Sequence, residues 1–246
     1  VLSAAALGPL LIGVDSLGSG QHTLALGEIA VGLVCGALLV WHQLGRKNAL
    51  LPLDLLKIPL LSLSVVTSIC SYSAQILAYV SLPFLFETVM HRSQVATGLL
   101  VTPWPLMIVI AAPIAGRLSA HYPAAILSSL GLAVMAVGLG LLAALPDQPA
   151  DWNIAWRMAL CGVGFGFFQT PNNATILTAG PPSRSGAAGG ILAVARTLGW
   201  CIGSALVTLI FAVSPSGATI QCLVVACGFA AVGALVSVSR GAVRRR

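Results

Sequence analysis

The sequence predicts an all-α integral membrane protein of about eight transmembrane helices. Three observations carry that prediction. Apolar residues make up 58% of the 246 and charged residues only 7%, whereas a soluble domain needs roughly 25% charged residues to coat its surface. Mean hydropathy is +0.99, so lipid is the solvent for most of the surface. Finally, the apolar runs are about 20 residues long, the length a helix needs to cross the hydrocarbon core.

Taken in order, the runs fall at 1–17, 23–42, 58–86, 96–116, 123–145, 154–178, 186–213 and 217–238. The chain opens on Val1-Leu2-Ser3, already inside an apolar run and with no basic leader before it. The first helix is therefore expected to be truncated and the chain to be a fragment of something longer. Short polar joints separate the runs, and short joints make consecutive helices antiparallel neighbours. Alternate joints hold Arg46, Lys47 and Lys57, then Arg117, then Arg184, and after the last run Arg240, Arg244, Arg245 and Arg246. The opposite joints hold Arg92 together with Asp147 and Asp151. By the positive-inside rule the basic joints and the C-terminus are cytoplasmic, in a multi-pass protein of a plasma membrane. Trp41, Trp104 and Trp152 fall near helix ends, where an indole suits the headgroup layer, while Trp156 and Trp200 sit deeper.

The organisation predicted is a hairpin (1–43), a cytoplasmic linker (44–57), a six-helix domain (58–238) and a basic cytoplasmic tail (239–246). Within the six-helix domain, runs three to five and runs six to eight form two triplets of nearly equal length. Three is an odd number, so the second triplet starts on the opposite side from the first. That is the arithmetic of an inverted repeat, frequent in secondary transporters.

Several function classes are excluded by composition. The net charge of +6 is too sparse and too confined to joints to form a nucleic-acid face. Six cysteines stand singly in apolar runs, without C-x-x-C spacing or a nearby His, so neither disulfides nor a metal is indicated. The four His lie at joints or span ends without a partner nucleophile, and there is no phosphate-binding G-x-x-x-x-G-K-[ST] loop. An enzyme is not expected, and no cofactor is expected beyond a proton gradient as the energy source.

Breaks and polar groups inside spans mark places buried in protein or facing a water-filled path. Pro103, Pro105 and Pro113 interrupt the fourth run, and Gly162, Gly166 and Pro171 the sixth. Small residues at 162 and 166, 186 and 190, and 199 and 203 let helices approach closely. Gly199 and Gly203 thus read first as packing positions, with a ligand role as the competing reading. Gln75, Gln169, Asn172, Asn173 and Arg196 are the deep polar residues and the candidates for lining a substrate cavity. Arg196 lies near the midplane by helix rise; packing against backbone carbonyls is its alternative role. Of the carboxylates, Asp15, Glu28 and Glu87 are candidate proton carriers, although all three lie towards the outer interface.

The order of several motifs resembles a known family. Leu50-Leu51-Pro52-Leu53-Asp54-Leu55-Leu56, Leu82-Pro83-Phe84-Leu85-Phe86-Glu87, Thr97-Gly98-Leu99-Leu100-Val101-Thr102-Pro103 and Ala112-Pro113-Ile114-Ala115-Gly116-Arg117-Leu118 carry part of the likeness. The stretch from Gly162 to Pro171, with Arg184-Ser185-Gly186 and Ala195-Arg196-Thr197-Leu198-Gly199, carries the most specific part. Together they resemble the C-terminal part of the major facilitator superfamily, in its 14-span drug:proton antiporter branch. The loop Gly116-Arg117-Leu118-Ser119-Ala120-His121-Tyr122 departs from the family pattern, which prefers an Asp followed by Arg near 120–121.

The resemblance implies a secondary transporter working by alternating access, with two inverted three-helix repeats in its C-terminal domain. It implies a proton-coupled exporter of lipophilic, often cationic compounds in a bacterial inner membrane. Gly116 and Arg117 would belong to its gating loop. The missing N-terminal six-helix half would be a partner, and the fragment alone is not expected to transport. An organic-anion or metabolite carrier of the same fold, and a non-transporting scaffold, are the competing readings. Few aromatics are expected on the cavity side of this half.

Overall fold

The computed structural model describes residues 53–146, 148–214 and 217–243, together with isolated positions between 9 and 35. The chain divides into two compact units, Val1–Asp54 and Leu55–Arg246. In the first unit, positions 9, 24, 27, 28, 30–32, 34 and 35 are all helical, and Glu28 is half-buried. Most of the two predicted hairpin spans, Asp15, Trp41 and residues 44–52 of the predicted linker lie outside the described residues.

The described residues of the second unit form helices joined by short turns. A 3-10 turn, Leu53–Lys57, leads into the unit, and its Leu55 is buried with Leu61 and Ile191. Seven α-helices follow: α1 (Pro59–Phe84), α2 (Gln94–Val101), α3 (Pro103–Leu118), α4 (Ala124–Ala143), α5 (Asp151–Thr178), α6 (Ser185–Val213) and α7 (Ala218–Val243). No residue described is in a strand. Five segments are long and apolar enough to cross a membrane, with α2 and α3 together forming one of them. Helix α5 is too polar to join that group, since it carries Asp151, Arg157, Gln169, Asn172 and Asn173. Its 28 residues nevertheless span about 42 Å, more than the hydrocarbon thickness of ~30 Å.

Prolines set the irregular points. Pro103 and Pro105 lack the N–H groups that would reach Leu99 and Val101, so the predicted span 96–116 divides at Thr102. Thr102 bridges the break, its hydroxyl donating to the Gly98 carbonyl at 2.7 Å. Pro83 similarly precedes a π-helical turn, Leu85–Val89, that ends α1.

Two sequence expectations are corrected here. A basic cytoplasmic tail was expected from residue 239 on, but in the described part α7 runs on to Val243 and Arg240 is only 1% exposed. Trp104 was expected at the headgroup layer, yet it is fully buried and packs edge-on against Tyr79 at 4.9 Å. Both errors have one cause. Hydropathy locates a helix along the chain without saying which side faces a neighbour.

The packing order reveals the repeat. Strong neighbours follow the sequence α3–α5–α4–α7–α1–α6. Exchanging the triplets (α1 for α5, α2/α3 for α6, α4 for α7) reverses that order and leaves it otherwise unchanged. Such a palindrome is what two inverted three-helix repeats produce. Glycines permit the close approaches: a Cβ on Gly162 would lie 2.2 Å from the Trp104 carbonyl oxygen, and one on Gly166 2.9 Å from Ala111 Cβ. On α6, a Cβ at Gly199 would meet Tyr72 Cβ at 2.7 Å, and one at Gly203 would meet Ile76 Cγ2 at 2.1 Å. Gly131 of α4 and Gly164 of α5 form a further reciprocal contact that the sequence reading did not single out. Gly186, expected to be a packing position, is exposed with open space around it, because it lies in the first turn of α6.

Candidate functional site

The deep polar residues fall into two adjacent groups along α1 and α5. These helices are antiparallel, so ascending α1 from Ser64 through Ser68 and Tyr72 to Gln75 means descending α5 from Asn172 through Gln169 to Phe165.

The first group joins α1, α5 and α6. Tyr72 lies at its centre, 2% exposed, with edge-on contacts to Phe165 at 5.6 Å and Trp200 at 6.0 Å. The Gln169 amide donates to the Tyr72 hydroxyl at 3.3 Å, and the Trp200 indole N–H donates to Gln75 Oε1 at 3.5 Å. Arg196, one turn before Trp200 on α6, lays its guanidinium over the indole at 5.5 Å. Tyr72, Phe165 and Gln75 are buried, Gln169 is half-buried, and Trp200 and Arg196 are exposed. The group therefore runs from a packed interior to an open face. The bonds are long.

The second group joins α1, α5 and α7 near the end of the bundle that carries Arg117 and Arg184. Arg240 donates to Ser64 Oγ at 2.8 Å, to Asn172 Oδ1 at 2.6 Å and to Ser237 Oγ. The Asn172 amide donates onward to Ser68 Oγ at 2.8 Å and to the Ser64 carbonyl at 3.4 Å. Ser64 passes its own proton to the Leu60 carbonyl at 2.7 Å, and Ser237 to that of Ala125 at 3.1 Å. Ser64, Ser68, Asn172, Ser237 and Arg240 are buried, and the bonds between α1, α5 and α7 join residues far apart in sequence.

The structure thus brings Gln75, Gln169 and Arg196 together and diverts Asn172 into the second group. Asn173 is half-buried, and its Oδ1 has no partner among the described residues. Pro171 is buried inside α5, where its missing N–H leaves the Phe167 carbonyl without its helical donor. Gly116, Arg117 and Pro113 are exposed on α3, and Pro103 is half-buried. Glu87 is exposed in the π-helical turn. At that same end Arg92 pairs with Asp151 at 2.8 Å and donates to the Pro149 carbonyl. Among the described residues, no group of three or more His, Cys, Asp or Glu is placed to hold a metal.

Sequence reasoning missed Tyr72 as a hub and Arg240 as a buried cation. The one available signal was the density of hydroxyls on α1: Ser62, Ser64, Thr67, Ser68, Ser71 and Ser73. In a membrane span so many small polar side chains imply a helix surrounded by other helices.

A membrane bundle built as an inverted repeat around a polar, aromatic interior face is a transporter-like arrangement, and comparison with known proteins decides the family. The major facilitator superfamily profile matches residues 2–204. The chain belongs to the major facilitator superfamily. As a member of that superfamily it is a transporter-family protein and not an enzyme. It is similar to an uncharacterized transporter, YebQ, of Escherichia coli K12, at 48% identity over 96% of this chain and 52% of the relative. It is similar as well to the riboflavin transporter RibZ of Clostridioides difficile, at 29% identity over 79% of this chain and 42% of the relative. The multidrug resistance protein Stp of Mycobacterium tuberculosis is 28% identical over 79% of this chain and 35% of its own length. The chain spans about half the length of these three relatives, or less.

Proposed function

We propose that the chain forms the second half of a proton-coupled exporter that moves flat, largely apolar compounds by alternating access. The observation that carries this reading is the α1–α5–α6 face. Trp200 is exposed there beside buried Tyr72, with the amides of Gln75 and Gln169 held in long hydrogen bonds. An aromatic surface with a few polar groups is the composition of a small-molecule site. Helix pairs packed through glycine, as at α3–α5 and α1–α6, are suited to sliding during a rocking motion. The multidrug resistance protein among the relatives supports the same substrate class. The basic end faces the cytoplasm in this proposal, following the bias of Lys and Arg.

Proton coupling requires a carboxylate that titrates on both sides of the membrane. In the unit Leu55–Arg246, the acidic residues described are Glu87 and Asp151, both at the end opposite the basic one. In this proposal the coupling carboxylate is Asp15 or Glu28 of the first unit, or belongs to the other half. A second reading, a carrier of organic anions or metabolites, is favoured by Arg196 on the open face and by the riboflavin transporter among the relatives.

Ethidium efflux from energised cells tests the main reading. The chain as given is compared with a version extended upstream by the half that its relatives carry. Efflux by the extended version alone, abolished by a proton uncoupler, is the expected outcome. Riboflavin transport without dye efflux would replace the exporter by the metabolite carrier.

A further inference from the structure

Arg196 is out of keeping with its depth. It is exposed on α6, about 17 Å along the helix from Ser185 by the rise per residue. A cation at that depth is costly against lipid, so this side of α6 borders a water-filled path or protein. No ion pair or hydrogen bond joins Arg196 to a described residue, and its contact is with the Trp200 ring.

The charge around it is one-sided. Helices α1 and α6 carry no carboxylate, and α5 carries only Asp151, its first residue, at the outer end. Glu87 lies at that same end, in the π-helical turn. Asp54 stands in the 3-10 turn ahead of α1, at the basic end. Arg157, the other cation of α5, lies over Trp156 towards the outer end. Tyr72, Gln75 and Gln169, which share the face with Arg196, are neutral. A ligand held there meets a positive charge with no carboxylate beside it.

Arg196 also occupies the surface that a flat ligand needs. Its guanidinium sits 5.5 Å from the centroid of the Trp200 ring, within the range of a cation–π contact. The indole is fixed from elsewhere, by Tyr72 edge-on at 6.0 Å and by its N–H to Gln75 Oε1 at 3.5 Å. A cation–π contact at an exposed site is weak, so the guanidinium can leave while the ring stays in place.

Resting on the reading of this face as the substrate site, we propose that Arg196 sets the charge preference of that site. In the empty site the guanidinium covers the Trp200 indole. A planar ligand takes its place on the ring, and the displaced guanidinium donates to an acceptor on the ligand, a carboxylate or a carbonyl oxygen. Planar acids are held best and neutral planar compounds next. Planar cations still stack, but against the repulsion of Arg196.

Binding to the full chain, purified in mild uncharged detergent, tests this with three probes of one shape. These are anthracenecarboxylate, anthracenemethanol and anthracenemethylammonium, and the anisotropy of anthracene emission reports binding. In the wild type the carboxylate is expected to bind most tightly and the ammonium least. Arg196→Gln is expected to weaken the carboxylate about tenfold and strengthen the ammonium by about the same factor, with the alcohol changed by about twofold or less. Arg196→Lys keeps the charge and is expected to keep the preference for the carboxylate. Lost packing would weaken all three probes alike, so opposite shifts separate a charge role from a structural one, and circular dichroism verifies that the variants fold. Equal shifts of the three probes in Arg196→Gln, or none, would overturn the proposal and leave the face as the site. Binding that Trp200→Leu does not weaken, or no binding of any probe, would overturn the reading of the face and the proposal with it.

Discussion

The two polar groups on α1 and α5 are neighbours built from similar side chains, and their geometry separates them. Around Arg240 and Asn172 the main bonds are 2.6–2.8 Å long and the donors and acceptors are buried. Around Tyr72 and Trp200 they are 3.3–3.5 Å long, and the group opens onto an exposed indole and guanidinium. In hydrocarbon a short, fully enclosed network is a fastening, because each group left without its partner is costly. A network of long bonds that opens onto an exposed face has capacity to exchange its partners for those of a ligand. One turn of helix, from Asn172 to Gln169, separates the two behaviours.

Substitutions along α5 and α6 can break that comparison, and the largest effect is expected at the fastening. Asn172→Leu removes the acceptor of a buried cation and the bond to Ser68, at a cost of about 3 kcal/mol. The readout is the thermal unfolding of detergent-purified protein, and an unchanged midpoint would put the network among the dispensable contacts. Gly199→Ala comes next. Its new methyl meets Tyr72 Cβ and the Ile69 carbonyl, so α6 must move from α1 at about 1–3 kcal/mol. Trp200 fluorescence should then shift as the indole leaves Gln75.

Gln169→Leu is expected to cost only about 0.6 kcal/mol, the average for a hydrogen bond between membrane helices. In the extended transporter it should nevertheless change the apparent affinity for substrate. A variant that loses stability but leaves affinity alone would reverse the roles assigned to the two groups. The smallest effect belongs to the outer end. Arg92→Ala removes a pair in which Asp151 is 62% exposed, worth about 0.5 kcal/mol or less. That loss should shrink further at high salt.

Much of the architecture is legible in the sequence, because lipid leaves the backbone few options. A run of about 20 apolar residues must hydrogen-bond to itself, so length and hydropathy alone place α1, α4 and α6 within a few residues. Pro103 and Pro105 mark the break between α2 and α3 for the same reason, since neither has an N–H to donate. Pairs of glycines at 162 and 166 and at 199 and 203 are readable as close contacts between helices. Their partners are not. Nothing local tells that Gly162 meets Trp104 while Gly199 meets Tyr72.

The candidate site divides along the same line. Gln75, Gln169, Asn172 and Arg196 are conspicuous in sequence, because a polar side chain in an apolar span stands out. Their sorting into two groups depends on the rotation of each helix about its axis, which only the packing of α1 against α5, α6 and α7 decides. Arg240 shows the limit most clearly. In sequence it heads a basic run after the last apolar span and reads as a topological charge. In the fold, α7 continues past it and turns it inward onto Ser64 and Asn172, 176 and 68 residues away along the chain. The sequence by itself determined the solvent, the helices and their alternating direction, since these follow from composition and from backbone hydrogen bonding. Only the tertiary structure decided which polar groups are fastened together and which stay open, because that depends on contacts between distant residues.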